Sequence, residues 1–332
     1  MKNTVILPFL SMVLIQCANS ENPRSETEAY ANPLDSINSL IKQDPGSSDL
    51  YFARAKEYYS QKDLPSSLSD VGRALKLDSS NAEYYIFLAN LKILNKQSRE
   101  SRDALLKAYK IDPTNTDVLV KLGELYMLVD DFKTSFRYLN EALKIDIHLA
   151  EAYRLKGFNY KYAGDTAKAV SSFQTAVEQD PSDYDSYLQL GLLFSIPLEP
   201  IALEYYDNAL RIRPTSLEAL YAKALHLQRA GQPRKALALY SKISDLNPNY
   251  FNAYYNRGYI YLEMLSVYDS TEVAFNQAIE FGPDNYFQAI YNRGLSRERA
   301  GNIEGAIKDY RAVLKISPQY DPAALGLSRL GK

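Results

Sequence analysis

The chain has 332 residues, with 38 basic and 40 acidic side chains, so its formal net charge is −2. This balance, without a basic stripe, argues against nucleic-acid binding. A single cysteine excludes an intramolecular disulfide, and His148 and His226 lie far apart without companion ligands, which argues against a metal site. Because no nucleophile–base pair or phosphate-cradling glycine loop is recognisable, we expect no catalysis and no bound cofactor.

The first 17 residues have the features of an export signal. Lys2 gives a positive start, and an apolar run extends from Val5 to Ile15. This run is shorter than the roughly 20 residues needed to span a bilayer, and it fits the apolar region of a signal peptide. Cys17 follows directly in Val13-Leu-Ile-Gln-Cys17. The stretch resembles the bacterial lipobox, which implies lipid attachment at Cys17 after removal of the signal peptide in 1–17.

Two alternatives to lipidation stay open. Gln16 occupies a place that usually holds Gly, Ala or Ser in a lipobox, and Ala18-Asn-Ser20 is a tolerable site for ordinary cleavage after Ser20. Cys17 could also end an apolar stretch by chance. Either processed form implies a bacterial cell-envelope protein, lipid-anchored on a periplasmic or outer-membrane face, or otherwise soluble in the periplasm.

Two short segments precede the main body of the chain. Residues 18–31 are polar and lack a periodic apolar face, which predicts a flexible tether. Asn32-Pro33 is a favourable helix start, because the asparagine can cap the helix and proline is tolerated at the first helical position. We predict a capping helix within 32–46.

An internal repeat organises the rest of the chain. Residues 48–320 contain eight units that close every 33 to 35 residues, at Ser79, Pro113, Ile147, Pro181, Pro214, Pro248, Pro283 and Pro318. Within each unit, apolar residues recur every three or four places, a turn follows, and the pattern repeats, which predicts two helices. The eighth place is small in every unit: Ala55, Ala89, Gly123, Gly157, Gly191, Ala224, Gly258 and Gly294.

This pattern closely resembles the tetratricopeptide repeat (TPR) family. The departure is that the usual tryptophan of the fourth place never occurs, and tyrosine, leucine or isoleucine replaces it. The resemblance implies an all-α fold, a right-handed superhelical solenoid of helix–turn–helix repeats. One hairpin buries too little surface to fold alone, so stacked neighbours must create the core. Residues 321–332 restart an apolar helical pattern, which predicts a C-terminal capping helix.

Two units are irregular. In the fifth, Pro197 and Pro200 replace the usual glycine turn, so we expect a stiffened turn, helix B starting at Pro200 and a local change of twist. In the seventh, residues 265–271 predict a longer, protruding turn between the helices.

The resemblance also implies a concave groove lined by the first helix of each unit. Tyrosine and arginine are frequent at binding hot spots, so we favour the C-terminal half of the groove. The sixth-place asparagines can be structural or can hydrogen-bond an extended peptide. The candidate groove residues are Arg154, Phe158, Tyr162, Tyr221, Tyr255, Asn256, Tyr259, Tyr291 and Asn292.

Two functions compete at this stage. The first is a non-catalytic adaptor that binds protein or extended peptide partners in the groove while its N-terminal lipid holds it at a membrane. The second is a glycan- or nutrient-binding surface lipoprotein that uses the aromatic groove residues, although the absence of tryptophan disfavours it. A homodimer is possible, and no feature of the sequence decides it.

Overall fold

The computed structural model describes residues 32–332, in which every regular element is helical. The predicted signal peptide, Cys17 and the tether fall in 1–31 and lie outside the described residues. The chain divides into two compact units, one ending at Tyr84 and the other beginning at Tyr85. Between residues 32 and 332, no helix is long and apolar enough to cross a membrane.

Each of the eight predicted repeats forms two helices, A and B. The A helices are α2 (Ser48–Ser60), α4 (Ala82–Leu94), α6 (Thr116–Met127), α8 (Ala150–Tyr162), α10 (Tyr184–Ser195), α12 (Leu217–Arg229), α14 (Phe251–Tyr259) and α16 (Phe287–Arg299). The B helices are α3 (Leu64–Leu77), α5 (Ser98–Ile111), α7 (Phe132–Ile145), α9 (Thr166–Gln179), α11 (Ile201–Ile212), α13 (Pro233–Leu246), α15 (Tyr268–Phe281) and α17 (Ile303–Ile316).

The first unit begins with the predicted capping helix, α1 (Pro33–Gln43). Asn32 caps it, since its side-chain oxygen accepts a hydrogen bond from the backbone N–H of Leu34 at 3.2 Å. α1 contacts α2 and buries Ile41, and α2 in turn packs on α3. The N-terminal helix therefore packs against the first repeat.

In the second unit, helix pairs stack in sequence order. From α5 onward, each B helix contacts the A helix that follows it, in addition to its own partner. One core cluster joins Leu220 of α12, Tyr240 and Ile243 of α13, and Ala253 of α14. Because the core lies between hairpins, each repeat depends on its neighbours for burial. The predicted all-α repeat fold is confirmed.

The small eighth-place residues bring helices A and B together. A Cβ atom at Gly157 would lie 2.6 Å from the ring of Phe173, and one at Gly258 would lie 2.8 Å from the ring of Phe275. Real carbon atoms do not approach so closely, so only glycine fits at these contacts. The large ring of helix B thus fills the space that the missing side chain leaves.

The seventh repeat differs from the prediction. No long turn protrudes at 265–271. Instead, a π-helix (Ile260–Leu265) continues α14, Ser266 takes the left-handed conformation with φ 55°, and α15 begins at Tyr268. A π-turn accommodates one extra residue inside a helix. The π-helix accommodates the extra residue of this repeat and keeps Ile260 and Leu262 buried in the core.

The fifth repeat contains an unusual turn, as expected. α10 ends at Ser195, Leu198 has φ 61°, and α11 begins at Ile201. Pro200 occupies the N-cap position, so helix B begins at Ile201, one residue after the predicted start at Pro200. At the C-terminus, the predicted capping helix is α18 (Asp321–Arg329), which contacts α17 and buries Ala323.

Candidate binding surface

Three predicted groove tyrosines occupy the same place in consecutive repeats. Tyr221 lies on α12, Tyr255 on α14 and Tyr291 on α16, and all three are half-buried. Each ring packs against an aromatic residue of its own B helix. The ring centroids are 5.8 Å apart for Tyr221–Tyr240, 5.7 Å for Tyr255–Phe275 and 5.7 Å for Tyr291–Tyr310.

A second tyrosine, which lies later in the chain, packs against each of these rings. The residue just before α14, α16 and α18 is a tyrosine, and the centroid distances are 5.7 Å for Tyr221–Tyr250, 5.5 Å for Tyr255–Tyr286 and 5.2 Å for Tyr291–Tyr320. Sequence reasoning missed these second tyrosines, although their recurrence just before α14, α16 and α18 was a usable signal. We call the six residues the tyrosine row: Tyr221, Tyr250, Tyr255, Tyr286, Tyr291 and Tyr320.

Asparagine links successive repeats of the row. The side-chain amide of Asn256 donates a hydrogen bond to the Tyr221 hydroxyl at 2.9 Å, and that of Asn292 donates to the Tyr255 hydroxyl at 3.0 Å. The asparagines therefore have a structural role. Within residues 32–332, however, neither amide oxygen has a hydrogen-bond donor, so each can still accept one from a bound peptide.

Burial keeps five tyrosines of the row uncharged at neutral pH. Burial is the main cause that raises the pKa of Tyr286 to about 12, and it also raises the pKa of Tyr250, Tyr255, Tyr291 and Tyr320 above the ordinary tyrosine value. The hydroxyls therefore stay protonated. To a partner, these hydroxyls present hydrogen-bond donors and acceptors rather than charge.

Exposed apolar surface and paired charges flank the row. Leu225 and Tyr259, one helical turn after Tyr221 and Tyr255, are 37% and 40% exposed. Glu263 pairs with Arg299 at 3.0 Å, and Glu298 pairs with Arg329 at 2.9 Å. The hydrogen bonds from Arg329 are the main cause that lowers the pKa of Glu298. A partner would thus meet apolar and hydroxyl-bearing surface whose nearby charges already neutralise one another.

Comparison with known proteins settles the family. Models described as tetratricopeptide repeat match residues 82–115, 155–216, 221–286 and 287–320, which is more than half of the chain. The chain belongs to the tetratricopeptide repeat family. TPR arrays are scaffolds suited to protein–protein interaction.

Individual relatives match only in part. The chain is 29% identical over 150 residues to human "Tetratricopeptide repeat protein 6", a match that covers 42% of this chain and 27% of the relative. It is 29% identical over 135 residues to a UDP-N-acetylglucosamine--peptide N-acetylglucosaminyltransferase of Giardia intestinalis, covering 41% of this chain and 9% of that enzyme. The chain thus spans less than a third of these relatives.

Among solved structures, the TPR chain is similar to YrrB, described as a TPR protein with an unusual peptide-binding site. The sequence identity is 27%, the TM-score is 0.46, and the match covers 57% of this chain and 98% of YrrB.

The fourth TPR carries the other predicted groove residues, which form a separate group. The ring of Phe158 lies 6.2 Å from that of Tyr162 and 5.2 Å from that of Phe173, and Tyr162 is 58% exposed. Arg154 donates to Glu151 at 3.1 Å and forms an ion pair with Asp183 at 3.5 Å. In the described part of the chain, no hydrogen bond or ring contact joins this group to the tyrosine row.

One serine–histidine pair escaped the sequence analysis, which expected no nucleophile–base pair. Ser195 Oγ lies 2.9 Å from His226 Nδ1 and 2.9 Å from the Tyr206 hydroxyl. His226 is 2% exposed, and burial, with the nearby Arg229, lowers its pKa, so the ring is neutral. Because Ser195 ends α10 and His226 lies on α12, we assign the pair to holding the fifth and sixth TPRs together.

A metal site needs several His, Cys, Asp or Glu side chains close together. From Asn32 to Lys332, no group of three or more His, Cys, Asp or Glu side chains is arranged to hold a metal ion.

Proposed function

We propose that this TPR protein is a non-catalytic adaptor that binds an extended segment of a partner protein along the tyrosine row. The observation that carries the proposal is the repetition of one arrangement in three consecutive repeats. Each has a tyrosine pair, and an asparagine bridges each junction between them. An extended peptide presents a periodic backbone, which a periodic set of hydroxyl and amide groups can match.

The same arrangement disfavours the glycan-binding alternative. Every first tyrosine of the row is covered by two other aromatic rings, at 5.2 to 5.8 Å. Little flat aromatic surface is left on which a sugar ring could stack. If saccharides nevertheless quench the tyrosine fluorescence in a saturable way, the glycan-binding function replaces the adaptor.

Tyr259 offers the clearest test of the row as a binding surface. It lies beside Tyr255 and is 40% exposed, so its side chain can contact a partner without supporting the core. We expect Tyr259→Ala to weaken partner capture from native cell extracts at least about tenfold, the effect of losing a hot-spot contact. The melting temperature should change by no more than about 2 °C.

Ile196→Ala is the matched control, because Ile196 is 73% exposed and lies in the turn between α10 and α11, which carries no residue of the row. It should leave capture unchanged. Equal losses in both variants, or undiminished capture by Tyr259→Ala, would contradict the assignment of the binding surface. Tyr255→Ala is less informative, since it would also remove packing against Phe275 and Tyr286.

We further propose that the adaptor is tethered to the bacterial cell envelope by lipid on Cys17. The support is the apolar run that ends at the single cysteine of the chain. Two acyl chains suffice for stable anchoring, whereas one gives only marginal binding. Anchorage would hold bound partners at the membrane at a high effective concentration.

Intact mass of the protein purified from its native membranes tests the tether. We expect a chain that begins at Cys17 and carries added acyl mass, and we expect Cys17→Ala to move the protein to the soluble fraction. A chain that begins at Glu21 would indicate ordinary secretion. A chain that retains Met1 would indicate no export, and either result removes the anchor from the proposal.

A further inference from the structure

The seventh place of helix A carries a basic residue in five of the eight repeats. In four of them, a side chain 16 or 17 residues earlier, on the preceding helix, accepts a hydrogen bond from it. The four pairs are Arg54–Asn38 at 2.7 Å, Lys156–Asn140 at 2.9 Å, Lys223–Asp207, and Arg293–Asn276 at 2.7 Å.

Two of these basic residues also hold a carboxylate from their own B helix. Arg54 donates from Nε to Asp70 at 2.6 Å and from Nη2 at 2.8 Å. Arg293 donates from Nε to Asp309 at 3.0 Å and from Nη2 at 2.6 Å. The aspartates are 6% and 2% exposed, so both are two-pronged, nearly buried guanidinium–carboxylate pairs.

The fifth basic residue, Arg257 of α14, lacks both kinds of partner. Ser241, 16 residues earlier, replaces the asparagine or aspartate of the other repeats. Ala274, the seventh residue of α15, stands where Asp70 and Asp309 stand in α3 and α17. Arg257 Nε is buried without any hydrogen-bond partner among residues 32–332. In the first and eighth repeats, the corresponding Nε atoms of Arg54 and Arg293 donate hydrogen bonds to the carboxylate.

A cavity lies beside Arg257 and Ala274. It has a volume of about 240 Å³ and is lined by Arg257, Tyr261, Asp269, Ser270, Val273 and Ala274. Val273 is 58% exposed, which leaves an apolar side chain at the open side of the cavity. The exposed carboxylate of Asp269 disfavours anions of higher charge, such as phosphate, more than it disfavours a single carboxylate.

We propose that Arg257 binds the carboxylate of an aspartate or glutamate side chain of a partner protein, in the two-pronged geometry that Asp70 and Asp309 supply elsewhere. Val273 would contact an apolar neighbour of that acidic residue. Arg257 lies about 200° around the helix from Tyr255, since each residue advances the helix by about 100°. The site is therefore a second binding surface, and it does not depend on the tyrosine row.

The test observes the Arg257 Nε–H group of the full chain directly, by ¹H–¹⁵N NMR, with the resonance assigned from its loss in Arg257→Lys. The probes are the capped peptide Ac-Val-Glu-Val-NH2, its glutamine counterpart, and sodium acetate at matched ionic strength. We expect a saturable shift with the glutamate peptide, no shift with the glutamine peptide, and at least about tenfold weaker binding of acetate, which lacks the apolar contact.

Ala274→Asp supplies the carboxylate internally. In this variant, the Nε–H resonance should begin at the bound position and should not respond to the peptide, and the melting temperature should rise by about 2 °C. Ala274→Asn, which has the same shape without charge, should leave the peptide response in place.

Four outcomes overturn the proposal. They are no response to the glutamate peptide, equal binding of acetate and peptide, a lower melting temperature in Ala274→Asp than in Ala274→Asn, and a wild-type resonance already at the bound position. The last outcome would mean that a carboxylate of the chain itself already fills the site.

Discussion

Replacing Gly157 by leucine is expected to lower the free energy of unfolding by about 3 kcal/mol, at the upper end of the cost of overpacking a core. The first added carbon alone would lie 2.6 to 2.9 Å from three ring atoms of Phe173. Phe173 has no accessible surface, so its ring cannot move aside without displacing helix α9. Urea denaturation followed by circular dichroism measures the change as a lower midpoint.

Gly72 provides the matched control, because it is also inside a helix but a Cβ atom there would meet nothing within 4 Å. Gly72→Ala is therefore expected to stabilise the protein by up to about 1 kcal/mol, the difference in helix propensity. Gly157→Ala should destabilise it. If both alanine variants changed stability in the same direction, the close contact between helices A and B would not be the reason for glycine at the eighth place.

Asp309→Ala is expected to cost about 3 kcal/mol, because removing one partner of a buried ion pair leaves the opposite charge uncompensated. Its carboxylate accepts hydrogen bonds from Arg293 at 2.6 and 3.0 Å and from Arg297 at 2.9 Å. The aspartate side chain is 3% exposed, and the two arginines are about one-fifth exposed. Arg293 would lose the one carboxylate that it contacts among residues 32–332, whereas Arg297 would keep its pair with Glu272.

The exposed pair Arg102–Asp103 serves as the comparison for this prediction. Its side chains are 40% and 56% exposed, so Asp103→Ala should change the unfolding free energy by less than about 1 kcal/mol. Equal effects of Asp309→Ala and Asp103→Ala in urea denaturation would show that burial of the Asp309 network contributes nothing. The Arg293–Asp309 pair would then no longer support the proposal that Arg257 binds a carboxylate.

Much of the fold could be predicted because it depends on local patterns. The spacing of apolar residues within each repeat, the small eighth place and the motif Asn32-Pro33 each act over one or two helical turns. These patterns predict the helix pairs. The turn of the seventh repeat was predicted wrongly, since a π-turn and a longer loop are equivalent ways to insert one residue. Burial of Ile260 and Leu262 decides between them.

The candidate binding surface was predictable only in part. Tyr221, Tyr255 and Tyr291 follow from their place in the repeat, but the rings that cover them come from residues about 30 positions later in the chain. No local pattern indicates which rings will meet. The half-buried state of these tyrosines, in contrast to the more exposed Tyr259, likewise depends on packing between repeats.

The amino-acid sequence by itself therefore determined the helix pairs and the family, since both rest on a short local pattern that recurs every 33 to 35 residues. The tertiary structure decided which side chains are paired and which are not. Arg257 shows the physical reason: in sequence it is one of five similar basic residues at one place in the repeat. Its buried Nε is left without a hydrogen-bond partner because Ala274, on another helix, lacks the carboxylate that Asp70 and Asp309 supply to the same atom of Arg54 and Arg293.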